Sequence, residues 1–400
     1  MRFSPQYQCF LFFHWRMNVK RKTFYFNRAK MSKKRNILLS GPFKLASALS
    51  FIGLLLSYLA PFIHPSSIPA LPFFGLSYPI FLGLTIFWLL FWGFFRSKWA
   101  IYSLLVLLIG GKLHFRNFAL SNAASSNSEP GLKVLTYNVR LFDLFNPDFE
   151  EALKSRNEIF AYIRNEQPDV LCLQEFYRQD KPTRFEIMDS LNALLQTKDY
   201  HERSAHKRAT RENYGIALFS KYPMIARGDV MFESQGVQDF NYCIFADIVK
   251  NQDTFRVYNV HLQSIRLNTD PHIEGEEVKT YGSKKGALAV YRKLRVAFEK
   301  RAEQARRVVE HFKTSPYPVI VCGDFNDTPM SYTYNQFQLF LQDAYRSCGW
   351  GLGTTYVGRL PAGRIDYLFY GPQLYVTDFK IQKKTSSDHR AITCIFKKHQ

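Results

Sequence analysis

Two stretches in the first quarter of the chain carry no charge at all. Leu45–Ile63 runs 19 residues, and Phe73–Phe95 runs 23 and is rich in Phe, Leu and Trp. A helix that crosses a bilayer needs about 20 apolar residues, so both runs are expected to be spans. A third run, Trp99–Gly111, is only 13 residues between Lys98 and Lys112. At about 1.5 Å per residue it covers roughly 20 Å of an apolar core roughly 30 Å thick. It crosses as a span over about 99–118 if Lys112 and Arg116 snorkel to the surface. Otherwise it is a re-entrant or interfacial segment.

The charge follows this division. The whole chain of 400 residues has a net charge of +20, but residues 1–130 hold 15 Lys+Arg and a single acid, Glu129. The rest holds 38 Lys+Arg and 32 Asp+Glu, a mildly basic balance that permits a phosphate-bearing substrate without demanding one. Residues 1–44 form a basic arm with no acid. Such an arm suits nucleic acid, but ahead of apolar runs it reads better as a cytoplasmic flank. Met31 reads as a second start, which would make residues 1–30 an extension. The 63–72 loop has no Lys or Arg, and Arg96 and Lys98 come after the second run. By the positive-inside rule the N-terminus and the 96–98 turn are cytoplasmic. If the third run spans, residues 132–400 lie outside the cytoplasm; if it does not, they lie inside. The runs are too long and too many for a cleaved signal peptide.

Residues 45–120 are thus a membrane region. Ser121–Gly131, SNAASSNSEPG, reads as a linker. Residues 132–400 are long enough for one core. Val134–Tyr137, Val170–Leu173, Ile216–Ser220, Cys243–Val249, Phe255–Val260, Val319–Cys322, Tyr367–Tyr370 and Ile392–Phe396 read as strands. Glu150–Asn165, Phe185–Leu195 and Ala287–Lys313 read as helices. The six cysteines, at 9, 172, 243, 322, 348 and 394, show neither a zinc pattern nor a disulfide framework.

Polar groups recur at the strand ends. VIVCGDFNDTP is an apolar strand broken by Gly323, after which Asp324, Asn326 and Asp327 arrive within four residues. Their oxygens suit a hard cation or the positioning of a water, or they are a polar turn. Asn138 comes after the first strand and Glu175 after the second, and Asn213, Tyr214 and Gly215 precede the third. Asn259 and His261, then Asp366, then Asp388 and His389, mark further ends. Each alone has a structural reading; together they point to one site.

The blocks TYNVR, LQE, NYGIALFSKYP, NVHLQ, GDFNDTP, RIDYLF and SDH occur in the order of the endonuclease/exonuclease/phosphatase superfamily, and residues 132–400 resemble it. The resemblance implies a deoxyribonuclease I-like α/β fold, a four-layer α/β/β/α sandwich with its site where both sheets end. It implies that Glu175 ligates Mg²⁺ or Mn²⁺ with Asn138 and Asp388 close by. Asp324 and His389 would orient and deprotonate the attacking water, with Asp366 holding His389. His261 and Asn326 would donate to the phosphoryl oxygens, and Tyr214 fits a tyrosine near the phosphate. Asn259, Asp327 and Arg364 are expected as substrate-binding residues. The apolar N-terminal runs further resemble bacterial membrane-bound members, which implies the inner membrane; with the third run spanning, the charge rule expects the domain on its periplasmic side. The expected function is a membrane-anchored, metal-dependent hydrolase of a phosphodiester, either nucleic acid or a phospholipid or sphingolipid. The alternative is a non-catalytic membrane scaffold on the same fold. His201–Asn213 is a basic stretch that either grips phosphate or is merely solvated, and Ile265–Lys285 is a polar insertion that is either a lid or a surface loop.

Overall fold

The computed structural model describes residues 41–121, 131–197, 199–207, 211–232, 241–265, 284–358 and 363–399. Five helices come first: α1 Gly41–Leu59, α2 Leu71–Leu76, α3 Tyr78–Phe94, α4 Trp99–Ile109 and α5 Gly111–Asn117. Among the described residues only α1 is long and apolar enough to cross a membrane by the usual test of length and composition. The expected runs are cut by their own helix breakers. Pro61 lies just past the end of α1, and Pro72 and Pro79 sit at the starts of α2 and α3, where a missing N–H costs nothing. The 73–95 run is therefore broken at Ser77, and the 99–118 run at Gly110. Arg116 does not snorkel: its Nη2 donates to Asn335 Oδ1 at 2.7 Å, and the residue is 8 % exposed.

The three longer helices run up, down and up. Trp92 and Trp88, late in α3, donate to Ser47 and Ser50, early in α1, at 2.8 and 3.1 Å. Tyr58, at the end of α1, donates to the Val106 carbonyl near the end of α4 at 3.3 Å.

The rest of the described chain is built on two six-stranded mixed sheets. The strands are β1 Ala119–Leu120, β2 Leu132–Asn138, β3 Val170–Gln179, β4 Tyr200–Lys207, β5 Glu212–Ser220, β6 Met224–Val230, β7 Tyr242–Lys250 and β8 Asp253–His261. After them come β9 Val319–Asp324, β10 Gln342–Asp343, β11 Trp350–Gly351, β12 Asp366–Tyr370, β13 Leu374–Ile381 and β14 Ile392–Lys398. One sheet has the order β13-β14-β2-β3-β5-β4, the other β10-β12-β9-β8-β7-β6. Their inner faces meet in a core that includes Val134, Cys172, Leu218, Val257, Ile320 and Leu368. Helices α6 Phe149–Glu166 and α7 Met188–Leu195 cover the outer face of the first sheet. The long helix α8 Lys284–Lys313 and the short α9 Tyr332–Gln338 cover the second, and α10 Ala344–Cys348 comes directly after β10. The layers are thus helix, sheet, sheet, helix.

Each sheet has one parallel pair at its centre, β2 with β3 and β8 with β9. The carboxyl ends of both pairs meet at the same edge of the sandwich, which brings Asn138, Glu175, His261 and Asp324 together. The basic stretch His201–Asn213 is mostly strand: β4 and β5 form a hairpin, and Arg203 pairs with Asp229 at 3.4 Å. Residues 208–210, and 266–283 of the expected insertion, lie outside the described residues.

Candidate active site

Asp324 is the hub, and Gly323 puts it there. Gly323 has φ 136°, and a Cβ on it would lie 2.0 Å from the Val260 carbonyl oxygen. Only glycine lets β9 lie this close to β8 at the register His261↔Asp324. The chain then turns through Asn326 at φ 54°, a left-handed position that Asn tolerates.

Asp324 is 1 % exposed and surrounded by donors. Asn138 Nδ2 reaches its Oδ2 from the other sheet at 3.0 Å. The Asn326 backbone N–H donates to Oδ1 at 2.8 Å and its Nδ2 to Oδ2 at 3.2 Å. His261 Nε2 and His389 Nε2 each stand 3.8 Å from Oδ2. His389 Nδ1 is 2.9 Å from Asp366 Oδ2, which orients the ring. Ser387 links the two sides of the site. Its hydroxyl donates to the Asn138 carbonyl at 2.8 Å and accepts from the His389 backbone N–H at 3.2 Å.

Burial pushes the Asp324 carboxyl up to about 6, against the pull of the neighbouring imidazoles. For His389 burial works the other way, but Asp366 and Asp324 outweigh it and raise the imidazole to about 10. Between these two values the imidazole carries the proton and Asp324 is the carboxylate.

Glu175 arrives by a break in register. The β3–β5 ladder slips between Leu173 and Phe176, and Glu175 has φ 46°. The bulge turns its side chain out of the alternation of the core. Its carboxylate lies 3.4 Å from Asn138 Nδ2 and 3.9 Å from His261 Nε2. Burial, and next the Asp388 carboxylate, push its pKa up.

Asp324, Asp366 and His389 present one ligand atom each within 4.8 Å of one another. In that trio the His389 Nδ1 is already spent on Asp366, which is a hydrogen-bonding arrangement. Glu175 and Asp388 are a second pair that could hold a cation. Their hard oxygens repel each other, and a divalent cation relieves that repulsion. Asn138 reaches Glu175 and Asp324 through its Nδ2, and its Oδ1 accepts from the Arg140 N–H at 3.1 Å.

The structure separates the remaining expected residues by how their polar atoms are used. Both amide hydrogens of Asn326 are engaged, one on Asp324 and one on the Leu262 carbonyl at 3.1 Å. Asn326 therefore holds Asp324 and has no donor left for a phosphoryl oxygen. Asn259, expected at the substrate, is a strut between the sheets. Its Nδ2 donates to the carbonyls of Leu173 and Ala217 at 3.0 and 2.9 Å, and its Oδ1 accepts from Gln174 at 2.6 Å. Asp327 faces α8, where Arg301 Nη1 is 3.6 Å away. Arg364 is 3 % exposed, paired with Asp343 at 2.7 Å and donating to the Arg116 carbonyl at 2.6 Å. Tyr214 packs on Tyr177, ring centroids 5.3 Å apart, in the layer beneath α6 and α7.

Arg140 and Tyr356 were not anticipated. Arg140 opens a left-handed turn, Arg140–Asp143 at φ 46–60°, and its Nε stands 3.9 Å from Asp388. It is half exposed at the rim and sits two residues after Asn138, inside the same strand-end pattern. Tyr356 pairs with His389 as an isolated bridge, its ring edge-on at 5.1 Å. It comes from an irregular segment with no local signal.

The model of the Endonuclease/Exonuclease/phosphatase family matches residues 135–389. A second family model, a domain of unknown function, matches residues 38–117, the helical region. No curated protein matches the chain by sequence. Among solved structures, an endonuclease/exonuclease/phosphatase from Beutenbergia cavernae is 20 % identical, over 68 % of this chain and 72 % of that one, with a TM-score of 0.48. The human Nocturnin catalytic domain with bound sulfate anion is 20 % identical, over 68 % and 96 %, with a TM-score of 0.46. An endonuclease/exonuclease/phosphatase from Bacteroides vulgatus is 17 % identical, over 68 % and 100 %, with a TM-score of 0.48.

Proposed function

Because the chain belongs to the endonuclease/exonuclease/phosphatase family, we propose that it is a membrane-tethered, divalent-metal-dependent phosphoesterase that cleaves a phosphodiester by attack of water. The observation that carries this reading is Asp324 standing 3.8 Å from each of two imidazoles, with Asp366 behind one of them. A proton acceptor then lies beside donors able to meet charge that grows on phosphoryl oxygens.

Asp324 orients the water, and the Asp324–His389 pair takes its proton as the water oxygen bonds to phosphorus. Asp366 keeps His389 turned toward Asp324. His261 donates to a non-bridging oxygen as the ester P–O bond breaks and the alcohol oxygen leaves. Asn326 and Asn138 hold the Asp324 carboxylate in place through the bonds described above. Arg140 adds a rim cation for the phosphate. Glu175 and Asp388 would hold Mg²⁺ or Mn²⁺, with Asn138 orienting Glu175; when bound, the cation offsets phosphate charge and stabilises the leaving oxygen.

The tether rests on the outer faces of the helices. Leu49, Ile80, Leu90, Phe94, Leu108 and Ile109 all point away from the bundle and are exposed, and a bilayer would cover them. We read α1, α3 and α4 with α5 as three crossings. The up-down-up path leaves Lys44, Arg96 and Lys98 at one end and residue 131 at the other. The positive-inside rule then sets the catalytic domain on the periplasmic face of a bacterial inner membrane.

The full chain in detergent micelles, given bis-p-nitrophenyl phosphate with Mg²⁺ or Mn²⁺, should turn it over. EDTA should abolish the reaction, and Asp324→Asn or His389→Gln should slow it about 10²–10⁴-fold. Turnover that persists in EDTA and in both variants would overturn the mechanism.

A further inference from the structure

The helical region and the catalytic domain are joined by a small ribbon that runs on to the lip of the site. β1 begins two residues beyond α5 and pairs antiparallel with β11, Ala119 opposite Gly351 and Leu120 opposite Trp350. The Tyr345 hydroxyl clamps the pair, accepting from the Ala119 N–H at 3.2 Å and donating to the Gly351 carbonyl. Gly351 and Gly353, at φ 79° and 63°, turn the chain at the ribbon's tip.

This turn leaves large apolar side chains in the open. Trp350 is 62 % and Leu352 69 % exposed, beside Leu120 at 57 % and Phe118 at 39 %. Tyr356, six positions past Trp350, bridges to His389, and the Val357 N–H donates to the Asp388 carbonyl at 2.8 Å while its side chain stays exposed. Apolar side chains thus recur from the end of α5 through Trp350 and Leu352 and, past Gly353, Thr354 and Thr355, at Tyr356 and Val357, which meet His389 and Asp388. Left in water, such side chains forfeit the free energy of burying them.

We propose that the β1–β11 ribbon lies in the headgroup layer of the membrane that the helices enter, and that it presents the site to phosphodiesters carried at the bilayer surface. The proposal rests on the membrane reading of the helices. A lipid surface is the occupant because β1 starts two residues beyond α5, so Leu120 and its partner Trp350 stand next to the end of the helices read as entering the bilayer. Trp350 supplies an apolar ring with one N–H, the combination that settles at a membrane–water boundary. A lipid headgroup diester lies at that same depth, and the aliphatic Leu120, Leu352 and Val357 gain from acyl chains while offering a nucleic-acid base no ring to stack on.

The full chain in vesicles of phosphatidylcholine and phosphatidylglycerol tests this in two ways. The emission of Trp350, taken as the difference between the wild type and Trp350→Phe, should be quenched by phosphatidylcholine carrying a doxyl group near the headgroup and protected from aqueous iodide. Quenching by iodide and not by the doxyl lipid overturns the ribbon's placement, whether or not the protein is active. The double variant Trp350→Ser, Leu352→Ser should hydrolyse bis-p-nitrophenyl phosphate at the wild-type rate but vesicle phospholipid about tenfold more slowly. A wild type that cleaves the soluble diester and no phospholipid overturns the substrate class. If neither is cleaved, the hydrolase reading fails, and the quenching result still decides where the ribbon lies.

Discussion

Asp366 shows what a polar residue at a strand end does once its partners are known. It starts β12 opposite Asp324, with its carboxylate on His389 Nδ1 and its backbone N–H on the Thr355 hydroxyl at 3.1 Å. It acts through His389, so Asp366→Asn should leave KM for a soluble diester near the wild-type value and lower kcat about 10²–10⁴-fold. Stability should report the same contact. His389 is raised from the ordinary imidazole range to about 10, so in EDTA the folded state binds more protons than the unfolded state above about 6.5. The stability this supplies is complete below the unfolded value and drains away as pH rises toward 10. Thermal unfolding from pH 6.5 to 10 should show that loss in the wild type and a flatter course in Asp366→Asn; equal slopes would mean that the pair is not coupled. At this scale the residue types were legible and their commitments were not. Asn259, Asn326, Asp327 and Arg364 all carry the right chemistry, but each has its hydrogen bonds or charge engaged by a neighbour distant in sequence.

Elements divide by their place in the sheet. The strands read directly from the chain are central or next to it, because burial on both faces makes them continuous apolar runs. The strands that escaped reading are edges: β4 and β13 bound one sheet, β6 and β10 the other. HERSAHK and MIARGDV have solvent on one side and look like loops. Register carries the site, so it is the sensitive point. Gly323→Ala would force a methyl against the Val260 carbonyl at a backbone angle that alanine avoids. The strain alone costs about 1–3 kcal/mol, and relieving it moves Asp324 away from His261. Denaturant unfolding and diester turnover should both fall in this variant; full activity with unchanged stability would show that β8 and β9 are not held this tightly.

Across the whole molecule, a buried polar knot joins the helical region to the endonuclease/exonuclease/phosphatase domain. Arg116 meets Asn335, its carbonyl receives Arg364, and Arg364 pairs with Asp343 between the rings of Tyr345 and Tyr367. Arg364→Met keeps the length of the side chain and leaves the Asp343 carboxylate buried without its cation, a loss of about 3–5 kcal/mol. A drop in the thermal midpoint of the full chain, with Asp343→Asn in the same background restoring part of it, is the expected outcome. A variant as stable as the wild type would mean that the knot adds nothing. The linker expected over Ser121–Gly131 is thus not the only tie: β1 with β11 and the Arg116–Arg364 contacts also connect the two regions.

The sequence by itself determined the membership of residues 135–389 in the family, the central strands, and the set of acids and histidines from which the site is made. These were legible because burial on both faces of a strand, and polar residues immediately after it, are local patterns. The tertiary structure decided which of those residues remain free to act and where the helices break. It also paired β1 with β11, strands more than 200 residues apart in the chain, and bridged Tyr356 to His389. Hydrogen-bond commitments and edge pairings form between distant segments, and nothing in the local pattern of either segment encodes the other.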